Sequence, residues 1–346
     1  MANGPIAPER PALSLCSPDV MLRSVPIRRP GVRAGRLAGM AGMLLACGLA
    51  AGCGLLPGSG SGPAAATVPP AASAAPSPSP QAPATSAAAC PAAPKGFSCA
   101  MRTRIAGVEH FLRGRPGVIG IVLRDRATGA VWRNRYAATP VYMASTSKLA
   151  MAVTLLLKNR SGVIHLSSAD WATLYQMLHV SSDNAADGLW FKYGASFFTS
   201  EFGQLGLTHV HYLPQAGVSG PYWGEMMCPA EDLSALINYV LTDLPGSLRG
   251  YLVKTLRQVA GVQHFGVWGA GPADHPGNKD GWSVEKPGWI INSVGFAGPG
   301  ARYTLAMMNS LDGQGGYHAG TNTVTQIAAI LFQGHRIPAP TLRATP

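Results

Sequence analysis

The strongest constraint on folding is the stretch from residue 57 to 94, built almost entirely of Pro, Ala, Ser, Gly and Thr, with no charge before Lys95. A segment of this kind cannot bury enough apolar surface to offset the entropy of ordering it, which predicts a disordered tether. At about 3 Å per residue it would reach roughly 100 Å when extended. Any core must therefore come from residues 95–335, about 240 residues, which suits one large mixed domain better than two small ones. Residues 336–346 read as a tail.

Ahead of the tether, residues 1–52 read as a signal region. Arg23, Arg28, Arg29, Arg33 and Arg36 precede an apolar run at 37–51. That run is shorter than the roughly 20 residues needed to span a membrane. It ends in Leu49-Ala50-Ala51-Gly52-Cys53, which resembles a bacterial lipoprotein processing site, with Cys47 as a rival position. Lipidation is expected at Cys53, which would place residues 53–94 as a lipidated tether and the domain outside the cell, facing the wall.

The whole chain carries 27 Lys and Arg against 16 Asp and Glu, a net +11. Beyond residue 52 there are 21 basic and 14 acidic residues, a net +7. The basic residues are scattered along the chain without aromatic interleaving, so a solvated surface is expected and no nucleic-acid partner. Of the cysteines past the signal region, Cys90 and Cys99 can close a short loop, as an exported protein permits, leaving Cys228 as a buried thiol. No C-x-x-C is present, and His209 and His211 lack a third ligand nearby, so neither metal nor cofactor is expected.

Hydrophobic spacing predicts a first helix at 102–113, strands at 118–124 and 130–136 around a hairpin turn, and a helix at 145–160. Every position from Leu149 to Leu157 except Thr154 is apolar, so this helix should be buried on all sides. Helices follow at 167–180, 185–193, 229–243 and 247–259. Strands at 278–284, 289–295 and 302–309 precede a last helix at 321–332. Short turns between the late strands favour antiparallel pairing. The predicted architecture is α+β: a five-stranded antiparallel sheet flanked by the N- and C-terminal helices, beside an all-helical lobe.

Three short constellations can carry chemistry. Ser145-Thr146-Ser147-Lys148 sets a hydroxyl and an amine one helical turn apart at a helix amino end, where the helix dipole favours developing negative charge. Ser182-Asp183-Asn184 falls at a helix break, and Lys279-Asp280-Gly281 opens the first late strand. Singly, each is explained by a cap or a turn. In this order and context, over residues 101–332, they resemble the S-x-x-K, S-D-N and K-[TS]-G motifs of the class A β-lactamase and penicillin-binding superfamily. Lys286-Pro287-Gly288 competes for the third motif, but leaves one following strand where Lys279 leaves two.

The resemblance implies that Ser145 attacks a β-lactam or peptidoglycan-like amide and that Lys148 takes its proton. Ser182 would relay a proton to the leaving nitrogen and Asn184 would hold a substrate amide. Lys279 would supply positive charge, and Gly281 and Trp282 would line the substrate site. The backbone amides of Ser145 and Trp282 would form the oxyanion hole. Two departures stand out. The stretch 205–222 lacks the carboxylate that activates a deacylating water in class A enzymes: Gln215 falls near its place, and Glu225 is the nearest acid. Asp280 replaces the hydroxyl that binds a substrate carboxylate. Three resolutions are open: a different substrate, a compensating cation, or a carboxyl that points away. A slow serine hydrolase acting as a monomer is the expected function; a non-catalytic wall-binding or sensing lipoprotein and a D,D-carboxypeptidase-like enzyme are the alternatives.

Overall fold

The computed structural model describes residues 89–334. The signal region, Cys47, Cys53, nearly all of the tether and the 336–346 tail lie outside the described residues. Among the described residues no helix is long and apolar enough to cross a membrane.

The chain enters through a Cys90–Cys99 disulfide, which ties the incoming segment to the first turn of helix α1 (Cys99–Leu112). Ser98 caps that helix by accepting from the Met101 amide. Strands β1 (Val118–Asp125) and β2 (Val131–Arg133) form the first hairpin. β2 stops earlier than its apolar pattern predicts. The Asn134 side chain accepts from the Ile121 amide and donates to the Ile119 carbonyl, so a side chain takes over one of the two bonds of the next rung, while the Asn134 amide still donates to Ile121 O.

A two-residue strand β3 (Val141–Tyr142) leads through a 3-10 turn at Ala144–Thr146 into α2 (Ser147–Arg160). Residues 147–156 of α2 are all buried, as its unbroken apolar composition requires. The helical lobe continues with α3 (Ser168–His179), α4 (Asp183–Tyr193) and α5 (Ala195–Phe202). Short strands β4 (His211–Tyr212) and β5 (Met226–Cys228) join β3 in a small sheet of order β3-β5-β4. Helices α6 (Ala230–Thr242) and α7 (Gly246–Arg257) return the chain to the main sheet. That sheet is completed by β6 (Gly277–Val284), β7 (Trp289–Ala297) and β8 (Tyr303–Ser310), followed by α8 (Tyr317–Gln333).

The main sheet is five-stranded and antiparallel, in the order β2-β1-β8-β7-β6. Alternation along the strands divides the core. Ile119, Ile121 and Leu123 of β1 share one apolar cluster with Ile105 and Val108 of α1 and Val324 and Ile327 of α8. Val122, Ala306 and Met308 face the other way, into a cluster with α2 and α6. β2 and β6 are left as the two edges, and β6 runs beside the 3-10 turn that holds Ser145.

Candidate active site

The turn carrying Ser145 is held by its surroundings. Ala144, just before the serine, has φ +45°, a left-handed conformation that costs a non-glycine residue about 1–2 kcal/mol. Asn292 of β7 donates to the carbonyls of Tyr142 and Met143 at 2.7 and 3.1 Å, and the Met143 amide donates to Met226 O at 2.7 Å. From the other side, Gly281 presses its backbone against the turn. An added Cβ would lie 2.9 Å from Met143 O and 3.0 Å from Ser145 N, so no side chain fits there.

Lys148 lies in the first turn of α2 and is fully buried. Its Nζ donates to Ser145 Oγ at 3.0 Å, to Ser181 O at 2.7 Å and to Asp183 Oδ1 at 2.5 Å. It also sits 4.4 Å from the centre of the Trp223 ring. Burial pulls the Lys148 ammonium below its ordinary range, opposed by the bond and charge of Asp183 and the charge of Asp187.

The second constellation sits one residue earlier than its sequence suggests. Ser182, given the relay role by its spelling, accepts from the Ala185 amide as the N-cap of α4, and Asn184 is exposed in that helix's first turn. The residue that meets both lysines is Ser181, through its hydroxyl at Lys279 and its carbonyl at Lys148; it is buried at φ +59°. Lys279 Nζ donates to Ser181 Oγ at 2.8 Å, while Ser181 O accepts from Lys148. The triplet that meets the two lysines is Ser181-Ser182-Asp183, with a carboxylate at the third place where the family motif has an amide.

Lys279 is fully buried, and two further acceptors complete its shell: Gln263 Oε1 at 2.6 Å and Asp280 O at 2.7 Å. Burial holds this ammonium well below its ordinary range, aided by the nearby Lys148 charge and opposed by Asp280 and Asp183. Lys286 is exposed in the β6–β7 turn, so the strand position belongs to Lys279.

Lys279 and Gly281 point to the site, and strand alternation sends Asp280 the other way. Its carboxyl lies under the backbone of Gly266 and beside Ser293. Of the three resolutions for this residue, the structure shows the third: the carboxyl points away. Burial pushes Asp280 up to about 8, against the pull of Ser293, Asn278, Lys279 and the Phe265 amide. Neither oxygen makes a well-aligned hydrogen bond. The Trp282 ring lies on the same side as Asp280, against Phe265 and Tyr317, so only its backbone is available to a substrate.

The loop between α5 and β5 brings an indole rather than a carboxylate to Lys148. Trp223 Nε1 and Tyr222 OH both donate to Asp187 Oδ1, at 2.7 and 2.6 Å, which fixes the loop to α4. Gln215 sits half-buried in a turn, its carbonyl accepting from Val218 N. Glu225, raised by burial and by the charge of Glu285, faces that residue and Tyr142. His209 is engaged by Asp232, ring to carboxylate at 2.9 Å.

Sequence reasoning missed Ser181, Asp183, Gln263, Asn292 and the position of Trp223. Gln263 is the least predictable. Its amide donates to Leu178 O and His179 O while its oxygen accepts from Lys279 and the Asp280 amide, joining the helix before Ser181 to β6. The repeated serine at 181–182 was the one signal that a different register was available.

No protein-family model matches the chain. It is 27% identical over 246 residues to the "Putative lipoprotein LppW" of Mycobacterium tuberculosis, covering 68% of this chain and 76% of that protein. Among solved structures, a β-lactamase from Xanthomonas campestris superposes with TM-score 0.56 at 17% identity, over 68% of this chain and 98% of that one. A β-lactamase from Sphaerobacter thermophilus gives TM-score 0.54 at 15% identity, over 68% and 96%. The structure of PBP-A gives TM-score 0.53 at 15% identity, over 67% and 95%. At such identities the shared property is architecture: this chain has the fold of the class A β-lactamases and of PBP-A.

Proposed function

We propose that the protein is an exported, lipid-anchored serine hydrolase, attached through Cys53, that forms an acyl-enzyme on Ser145 with a β-lactam or peptidoglycan-like amide and releases it slowly. One observation carries the reading: a buried serine and lysine 3.0 Å apart share their surroundings with a second serine–lysine pair 2.8 Å apart. Two buried lysines would be a costly arrangement for stability alone.

In this reading Ser145 Oγ attacks the carbonyl carbon and its proton passes to the neutral amine of Lys148. The oxyanion is held by the amides of Ser145 and Trp282; β6 is an edge strand, so alternate amides face away from its partner β7. As the C–N bond breaks, the leaving nitrogen takes the Ser181 proton, and Lys148 restores it through the same site. Lys279 lowers the cost of negative charge at Ser181 and at a substrate carboxylate. The acyl ester then waits for water, and no carboxylate from 205–222 activates it.

A second reading is favoured by Asp183, whose charge holds Lys148 towards its ammonium form. It is a non-catalytic wall-binding or sensing lipoprotein that keeps the fold. A D,D-carboxypeptidase-like activity remains a third, separated by product analysis on a D-Ala-D-Ala peptide. The deciding experiment is labelling with a fluorescent penicillin followed by intact-mass measurement over time. A long-lived adduct on the wild type that is absent from Ser145→Ala is expected. No adduct, combined with retention on purified peptidoglycan, would replace the enzyme by the binding protein.

A further inference from the structure

At the other edge of the sheet, four strand spacings or about 19 Å from β6, the fold gathers what the sequence scatters. A cavity of about 290 Å³ lies between the end of α1 and the β1–β2 hairpin, and Arg113, Arg115, Arg133 and Arg135 all line it. Four arginines from two chain segments border one hollow together with Leu112, Ile119 and Tyr136, although Arg133, the cross-strand neighbour of Val122, turns its guanidinium to the other face of the sheet, onto Glu231 of α6.

Ordinary surface charge does not account for the arrangement. Like charges brought together raise each other's energy unless something opposes them. Only Arg133 has a carboxylate partner, Glu231 at 2.8 Å. Among the described residues, Arg113, Arg115 and Arg135 make no ion pair. The acid that lines the cavity, Glu109, accepts from Trp132 Nε1. Two of the unpaired guanidiniums are supported: Arg115 lies 4.1 Å over the Phe111 ring and Arg135 4.4 Å over the Tyr136 ring. Arg113 is held against His110. Burial lowers the Arg115 guanidinium from its ordinary range, the mark of a cation drawn partly out of water. Stacking fixes each planar fork in advance, which suits bidentate recognition of a tetrahedral oxyanion.

We infer that this cavity is a binding site for a phosphoryl group, on a phosphate monoester or diester with an apolar or sugar portion that rests on Leu112 and Tyr136. A phospholipid headgroup and a soluble phosphorylated compound share that chemistry. The inference is independent of the chemistry at Ser145.

The test uses the full-length protein at low ionic strength. Titration calorimetry with inorganic pyrophosphate should give one saturable site. Binding should weaken at least about tenfold in the double variant Arg115→Gln/Arg135→Gln, as expected when two charged contacts are lost. It should be unchanged in the charge-matched control Arg160→Gln/Lys254→Gln. Both variants change partly or fully exposed side chains, and equal melting temperatures would confirm that they fold. Co-sedimentation with phosphatidylglycerol vesicles, against phosphatidylcholine vesicles, separates the sources. Vesicle binding that pyrophosphate displaces assigns the site to a headgroup; pyrophosphate binding without vesicle binding assigns it to a soluble phosphate. Absence of saturable binding, or equal weakening in the control variant, would overturn the site and leave only diffuse surface charge.

Discussion

Replacing Asp183 by asparagine should accelerate acylation of Ser145. Lys148 Nζ faces three acceptors, Ser145 Oγ, Ser181 O and Asp183 Oδ1. An ammonium fills all three with its three N–H bonds. A neutral amine has two N–H bonds for Ser181 and Asp183 and a lone pair for the serine proton. Only the second form can act as a base, and the Asp183 charge favours the first. Asparagine keeps the acceptor oxygen and removes the charge. The Asp183 side chain is 72% exposed, so solvent screens the pair and its strength falls to about 1–2 kcal/mol, between the exposed and buried limits. Losing that charge lowers the Lys148 ammonium further. Of the other charges around the amine, Asp187 on α4 and Lys279 on β6 are unchanged by the substitution.

The measurement is the rate of fluorescent-penicillin labelling between pH 5.5 and 9.5. Acylation needs the neutral amine, so in both proteins the rate rises with pH and levels off above the lysine pKa. In Asp183→Asn the rise should begin at lower pH, giving about tenfold faster labelling near pH 7, the scale of an interaction of about 1–2 kcal/mol. Raising the salt should speed the wild type and leave the variant nearly unchanged. Superimposed pH profiles would refute the reasoning. So would a faster variant with an unmoved midpoint, since that gain would come from a substrate contact rather than from Lys148.

Two further substitutions test the register and the buried acid. Ser181→Ala should slow labelling about a hundredfold, the usual scale for a lost proton-transfer group. Ser182→Ala should leave the rate within about twofold and cost about 1 kcal/mol in denaturant unfolding, as a lost cap does; the reverse pattern would return the relay to Ser182. For Asp280, the folded state keeps a proton until about pH 8 that the unfolded chain releases near pH 4. Its stabilising effect is therefore complete below pH 4 and is lost as pH rises to 8. Between pH 6 and 8 the wild type should lose about 2 kcal/mol that Asp280→Asn retains, read from thermal unfolding at both pH values. Parallel curves for the two proteins would show that Asp280 does not titrate there.

The sheet, the buried helix α2 and the positions of Ser145 and Lys279 were legible because each rests on a pattern longer than itself. A nine-residue run with eight apolar positions cannot face water, and three closely spaced strands fix where Lys279 stands. The small sheet of β3, β4 and β5 was not legible, since strands of two or three residues fall below any alternation signal. α5 was missed as well: its eight residues follow α4 directly through Gly194. Choosing between Ser181 and Ser182 needed the backbone. Both serines can cap a helix, and the sign of φ at 181 decides which hydroxyl turns inward. Gln263 and Asn292 look like any surface amide until the fold buries them, and their roles depend on carbonyls that are close only in space.

The structure also changes which departure from the family motifs a substrate would meet. In the sequence, Asp280 is the conspicuous one, because a carboxylate there should repel an anionic substrate. Its burial behind β6, next to Ser293 and under Gly266, removes it from any substrate's path. The carboxylate that a substrate would meet is Asp183, exposed and bonded to the catalytic candidate Lys148. At the same time Trp223 places an apolar ring over that amine, and Asp187 is held by two donors. In the acyl-enzyme reading Asp183 would slow acylation by holding a proton on Lys148, and the indole, standing over the amine where no carboxylate of the 205–222 loop reaches, would leave release without a base. The two effects act on different steps, so Asp183→Asn should speed formation of the adduct without shortening its lifetime. A variant that gained both together would mean that one base, Lys148, serves both steps, and that the missing carboxylate of the 205–222 loop was never the obstacle.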